Sequence, residues 1–136
     1  MPSAQIHGPD GATSPSLHAL AAVRPARDRT ERVRKRLKRE RKSRKAQLRA
    51  LHQERAEAIA AGDDARLQVS DLLVRTAEAA LQELDDTLAR MAKGAYGRCE
   101  GCGQGIPAGR LKVRPTSRLC LPCQRTAEVA ASRRIA

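Results

Sequence analysis

The sequence has almost no aromatic residues and few large aliphatic ones. Its 136 residues include one Tyr, no Phe and no Trp, and Leu, Ile and Val together number 24. With so little material for a core we expect one small domain, not an enzyme with a deep apolar pocket. Base stacking on single-stranded nucleic acid is disfavoured for the same reason, because stacking platforms use aromatic side chains.

The sequence also lacks a long apolar run. No stretch approaches the roughly 18 consecutive apolar residues that a membrane-spanning helix needs. The apolar stretch from Leu17 to Val23 has no basic segment before it, unlike a secretory signal peptide. We therefore expect a cytoplasmic protein without a membrane partner. In that reducing compartment, paired cysteines usually bind metal or do redox chemistry.

Acidic residues are scarce relative to basic ones, with 15 Asp and Glu against 27 Lys and Arg and a net charge of +12. The excess is concentrated between Arg24 and Arg49, where 14 of 26 residues are basic. Such a segment would bind nucleic acid without sequence specificity and with strong salt dependence. A solvated face or a docking surface for an acidic protein explains the charge equally well. The candidate basic surface comprises Arg34, Lys35, Arg36, Lys38, Arg39, Lys42 and Lys45.

Local sequence signals divide the chain into three parts. Pro, Gly, Ser and Thr without periodicity predict a disordered tail over residues 1–27. A helix is predicted to begin near Asp28, where Glu31 completes a capping box, and to end at Gly62. Asp63 and Asp64 can cap a second helix, which runs to about residue 93.

The periodicity of the second helix predicts that residues 28–93 form an antiparallel helical hairpin with a turn near 62–63. Apolar positions recur every seven residues at Leu67, Val74, Leu81 and Leu88. The intervening positions of the seam are Ser70, Ala77, Leu84 and Met91. A tight turn pairs positions whose numbers total about 125, so that Leu37 faces Leu88. One continuous helix or an intermolecular coiled coil is the alternative, but Gly62 between two capping signals favours the hairpin.

Four cysteines form the most specific pattern of the sequence. Cys99 and Cys102 are separated by two residues, as are Cys120 and Cys123. This double spacing is typical of a structural zinc site, and we expect these cysteines to hold one Zn²⁺ within residues 94–136. Four thiolates leave no open position for water, so the ion would stabilise the fold and would not catalyse. Disulfides or a redox pair are the alternatives, but no βαβ pattern surrounds either pair.

The segment Gly94-Ala-Tyr-Gly-Arg-Cys-Glu-Gly-Cys-Gly-Gln-Gly-Ile-Pro-Ala-Gly-Arg-Leu111, with Pro115, Cys120 and Cys123, resembles the DksA/TraR zinc-finger family. The resemblance implies a mainly α fold in which a helical hairpin precedes a four-cysteine zinc-finger module and a short C-terminal helix. It also implies a cytoplasmic bacterial transcription regulator that binds RNA polymerase. Members of that family insert the hairpin into the secondary channel of the enzyme and often act together with ppGpp. We expect a monomer without enzymatic activity.

The hairpin tip departs from the pattern of that family. The tip motif Asp-x-x-Asp-x-Ala is absent, and Asp63 and Asp64 either replace it as effectors or only cap the second helix. The heavy basic segment supports a second hypothesis, in which the protein binds nucleic acid as a ribosome- or nucleoid-associated protein. Binding to nuclease-treated RNA polymerase would discriminate between the two hypotheses.

Overall fold

The computed structural model describes the backbone of residues 17–135 and the side chains from Ala26 onward. Helix α1 spans Leu17–Ala61 and α2 spans Asp64–Ala92, followed by the short α3, Ala108–Val113, and by α4, Leu121–Ile135. Helices α1 and α2 pack against each other as an antiparallel hairpin, and residues 17–135 contain no β-strand. The predicted mainly α fold is confirmed. No helix in this range is long and apolar enough to cross a membrane.

The reversal between α1 and α2 depends on two adjacent residues. Gly62 adopts a positive φ of 64°, a conformation that residues with a Cβ rarely adopt. The carboxylate of Asp63 then accepts a hydrogen bond from the backbone N–H of Arg66 at 3.0 Å, which caps α2. The backbone N–H of Asp63 donates to the carbonyl of Ala58 at 3.1 Å. These bonds satisfy groups that both helix ends would otherwise leave unpaired.

Ion pairs across the hairpin show the register of the two helices. Arg41 pairs with Asp85 and Arg55 pairs with Asp71, in both cases between α1 and α2. Both contacts agree with the predicted pairing of positions whose numbers total about 125. Because these side chains are partly exposed, each pair contributes at most about 1 kcal/mol to stability, and we regard them as fixing register.

The large apolar side chains are concentrated at the base of the hairpin, far from the turn. Leu37, Leu84 and Met91 form the buried cluster, and Val33, Leu88 and Tyr96 pack against it. Towards the turn the buried residues are mostly small, namely Ala58, Ser70, Val74 and Ala77. Thr87 is completely buried within the base, and its hydroxyl donates to the carbonyl of Glu83 at 2.8 Å. Apolar stabilisation is therefore strongest beside the cysteine segment.

The predicted start of the first helix near Asp28 is wrong. Helix α1 begins at Leu17, so residues 17–27 of the predicted disordered tail are helical, whereas residues 1–16 lie outside the described part. The Leu and Ala residues of 17–26 favour a helix, whereas Pro25 in its interior opposes one. Glu31 consequently lies inside the helix and pairs with Arg34 at 2.6 Å instead of forming a cap.

Candidate functional site

The first pair of cysteines lies on a tight turn of the backbone. The N–H of Cys99 donates to the carbonyl of Gln104 at 2.7 Å, and Gly103 donates back to the carbonyl of Cys99 at 2.9 Å. Gly103 has a positive φ of 73°, which explains why glycine follows Cys102 directly. An isolated bridge between Arg98 and Gly105 closes the turn. This arrangement presents both sulfurs on one side of the loop.

The second pair lies at the start of α4, next to the first. Cys120 directly precedes α4 and Cys123 lies in its first turn, where the N–H of Gln124 donates to the carbonyl of Cys120 at 2.9 Å. The sulfur of Cys99 accepts hydrogen bonds from Gly101, at 3.4 Å, and from Cys120, at 3.2 Å. Cys99 therefore contacts the backbone of both cysteine loops.

All four sulfurs lie within 4.8 Å of one another, and those of Cys102 and Cys120 are 3.8 Å apart. A tetrahedral zinc site with Zn–S bonds of about 2.3 Å requires sulfurs separated by about 3.8 Å. The cluster formed by Cys99, Cys102, Cys120 and Cys123 therefore fits one zinc ion. Bound there, the ion would link the two cysteine loops and stabilise the fold.

The environment of the four sulfurs differs from one cysteine to the next. The N–H of Cys120 lowers the pKa of Cys99 to about 6, because it donates to that sulfur and stabilises the thiolate. In contrast, hydrogen bonding with Cys120 and crowding by the other sulfurs raise the pKa of Cys123 to about 12. Because four thiolates this close together repel one another, a bound cation would be needed to keep all four sulfurs ionised.

A close contact at Gly101 gives a testable prediction about this site. A Cβ at Gly101 would lie 3.0 Å from the sulfur and 3.1 Å from the Cβ of Cys123. We expect Gly101→Ala to displace Cys123 and to weaken zinc binding by about 1–3 kcal/mol, the usual range for overpacking. Gly105→Ala is the matched control, since no atom lies within 4 Å of its added methyl group. Competition with a chromophoric chelator measures both affinities, and equal values would contradict the predicted contact.

The cysteine module contacts the base of α2 through side chains that carry hydrogen bonds. The hydroxyl of Thr116 donates to Glu83 at 2.9 Å, and the guanidinium of Arg90 donates to the carbonyl of Thr116 at 3.3 Å. The hydroxyl of Tyr96 donates to the carbonyl of Pro115 at 2.9 Å, and burial raises the pKa of Tyr96. These contacts fix the orientation of the module on the hairpin. Sequence reasoning missed Arg90 and Thr116, because no local pattern marks a contact between segments so distant in the chain.

The other residues singled out in the sequence lie away from the cysteine cluster. Asp63 and Asp64 lie at the opposite end of α2, where Asp63 caps the helix and Asp64 is exposed in its first turn. Five residues of the candidate basic surface are exposed, whereas Arg34 and Lys45 are half-buried. The guanidinium of Arg34 lies 3.4 Å from the carbonyl of Met91 and donates to it. The chain thus carries three separate features, namely the cysteine cluster, the tip and the basic surface.

Known proteins share both the cysteine module and the hairpin. A family profile described as "Prokaryotic dksA/traR C4-type zinc finger" matches residues 94–129. The solved structure of transcription factor DksA2 from Pseudomonas aeruginosa is 30% identical in sequence, with a TM-score of 0.53. That match covers 78% of this chain and 82% of the Pseudomonas chain. The chain belongs to the DksA/TraR family. The predicted resemblance is therefore confirmed, and the C4 profile supports zinc as the metal of the cysteine cluster.

Curated relatives match this DksA/TraR protein over shorter segments. An uncharacterized protein of Aquifex aeolicus is 39% identical over 61 residues, which is 45% of this chain and 42% of the relative. The RNA polymerase-binding transcription factor DksA of Escherichia coli K12 is 37% identical over 49 residues, which is 36% of this chain and 32% of the relative. The chain thus aligns with less than half the length of either curated relative.

Proposed function

We propose that this DksA/TraR protein is a cytoplasmic bacterial transcription regulator that binds RNA polymerase and inserts its hairpin into the secondary channel. The observation that carries the proposal is the form of the hairpin. The cysteine module lies at its base, and no other described segment lies at its tip. Helix α2 has 29 residues, which corresponds to about 43 Å at 1.5 Å per residue. The name of the E. coli relative, an RNA polymerase-binding transcription factor, supports the same partner.

Exposed apolar side chains near the tip support a protein partner. Val69 and Leu72, both in the half of α2 nearer the turn, are 59% and 60% exposed, and Leu73 is also exposed. These residues are separated by three and four positions, so they share one face of the helix. Ile59 of α1 is also exposed near the turn. Contiguous exposed apolar side chains of this kind mark interaction surfaces on soluble proteins. We propose that this distal apolar face contacts the polymerase.

The tip carboxylates have different roles in this proposal. Asp63 is engaged as the cap of α2, whereas Asp64 forms no side-chain hydrogen bond or ion pair among residues 26–135. We therefore assign Asp64 as the carboxylate that acts inside the polymerase, and Asp63 as the residue that holds the turn. Asn caps a helix about as well as Asp does, so Asp63→Asn preserves the turn and serves as a control for Asp64→Asn.

Retention on purified core polymerase after nuclease treatment tests the proposal. We expect binding at moderate salt that a known secondary-channel binder abolishes by competition. Leu72→Asp should weaken this binding at least tenfold, because it places a charge in the distal apolar face. Asp64→Asn should still bind but lose its effect on promoter-complex lifetime, whereas Asp63→Asn should keep both properties. Retention that disappears with nuclease treatment would contradict the proposal.

A further inference from the structure

Helix α1 carries two kinds of basic residue, and the fold separates them. Arg41 and Arg55 face α2 and are neutralised by Asp85 and Asp71. Arg34 and Arg44 pair with Glu31 and Glu40 of α1 itself. The remaining basic residues between 32 and 49 form no ion pair within residues 26–135. We call the five of them that point away from α2 the outer basic face: Arg32, Lys35, Arg39, Lys42 and Arg49. Asp71 and Asp85 of α2 are thus paired at the seam, Glu83 and Asp86 pair with the cysteine module, and the charge of the outer basic face is left uncompensated.

The outer basic face is a continuous row along the helix. With about 100° per residue, Lys35, Arg39 and Lys42 lie within about 40° of the direction opposite the buried Leu37. They lie on successive turns, and Arg32 and Arg49 extend the row to about 25 Å at 1.5 Å per residue. On most turns between Arg32 and Arg49 a positive charge therefore points away from α2.

We propose that the outer basic face binds the phosphate backbone of double-stranded nucleic acid without reading its sequence. Duplex DNA carries one negative charge per about 1.7 Å of axis, so a 25 Å row of cations meets several phosphates and releases their counterions. The inference goes beyond binding to the polymerase and does not depend on it. The outer basic face lies along the middle of α1, whereas the distal apolar face lies nearer the turn, on α2.

The composition of the face favours nucleic acid over an acidic protein. Stable protein interfaces have a desolvated centre of aromatic and apolar side chains, against which Arg residues also pack. Between Arg32 and Arg49 the exposed side chains among the basic residues are small or polar, namely Ser43, Ala46 and Gln47. No exposed apolar anchor larger than alanine lies in this part of α1. A phosphate backbone requires only cations at regular spacing, and the outer basic face provides them.

The test measures how the zinc-loaded protein binds a labelled 20-base-pair DNA duplex of arbitrary sequence. Binding is followed by fluorescence anisotropy at several salt concentrations. The logarithm of the binding constant should fall linearly with that of the salt concentration, by about 0.9 per phosphate contact. Combining Lys35→Gln, Arg39→Gln and Lys42→Gln should reduce the slope by about 2.7 and weaken binding on the order of a hundredfold at 0.1 M salt. Gln keeps the helix propensity, so the helical signal should not change.

The matched control removes the same charge elsewhere, by combining Arg125→Gln, Arg133→Gln and Arg134→Gln on the exposed α4. We expect this variant to bind the duplex almost as the parent does. Equal losses in the two triple variants would assign binding to net charge and overturn the proposal. Unchanged duplex binding in the α1 variant, with loss of polymerase binding, would identify an acidic protein surface instead. A duplex RNA of the same sequence shows whether the face distinguishes the two nucleic acids.

Discussion

Cys99→Ser is expected to abolish stable zinc binding and to unfold the cysteine module, while α1 and α2 remain helical. Cys99 is buried, and its sulfur accepts hydrogen bonds from the backbone of both cysteine loops. Among the larger apolar residues of the module only Ile106 is buried, and Val113 is 86% exposed. Structural zinc contributes on the order of 10 kcal/mol in small zinc-finger peptides, far more than so few apolar contacts can supply.

Elemental analysis measures the zinc content of the purified proteins. We expect one zinc ion per chain in the parent and almost none in the variant. Limited proteolysis should then cut the variant within residues 94–120 and leave the hairpin intact. Val113→Ser is the matched control in the same module, because its exposed side chain makes little packing contact. Unchanged zinc content in Cys99→Ser would contradict the assignment of Cys99 as a ligand.

Unfolding of the cysteine module should also weaken the packing at the base of the hairpin. The module supplies Tyr96 to the buried cluster, and it supplies Thr116 as partner of Glu83 and Arg90. With the module unfolded, Arg90 would lose its contact with the carbonyl of Thr116, and part of the cluster around Leu37 would become exposed. We therefore infer that zinc acts on the hairpin by completing the packing of its base, while the tip is held by its own turn.

The features that could be predicted from the sequence are those with short-range causes. Gly62 and Asp63 are adjacent residues, and the positive φ of the glycine together with the cap of the aspartate produces the turn between α1 and α2. The four cysteines lie in two short loops whose spacing predicts their convergence, and their sulfurs do converge. The heptad pattern of α2 predicts the seam, in which Val74, Ala77 and Leu84 are buried.

What could not be predicted depends on contacts between distant segments. Glu83 and Asp86 of α2 contact Thr116 and Arg118 of the cysteine module, which lie far along the chain. Thr87 carries a polar group, so its complete burial follows only from the packing of the base. Helix α1 begins at Leu17 although Pro25 lies in its interior and a capping pattern stands at Asp28, so the local signals place its start too late.

The second large effect is expected from Leu37→Asp, which should destabilise the hairpin by about 3 kcal/mol or more. Leu37 is 1% exposed and packs in the cluster with Leu84 and Met91. The substitution removes a buried leucine and places a carboxylate among apolar groups, and both changes are unfavourable. Since the seam towards the turn is built from small residues, no second cluster of large side chains in the described hairpin can compensate.

Leu72→Asp provides the matched control, because it makes the same chemical change on the distal apolar face, where Leu72 is 60% exposed. Thermal unfolding followed by circular dichroism should show a markedly lower midpoint for Leu37→Asp and one within a few degrees of the parent for Leu72→Asp. Polymerase binding should fall in both variants, but only Leu37→Asp should lose it together with helical structure. Equal midpoints would mean that the base cluster does not hold the two helices together. The small-residue seam and the ion pairs formed by Arg41 and Arg55 would then have to stabilise the hairpin, although partly exposed pairs contribute too little for that.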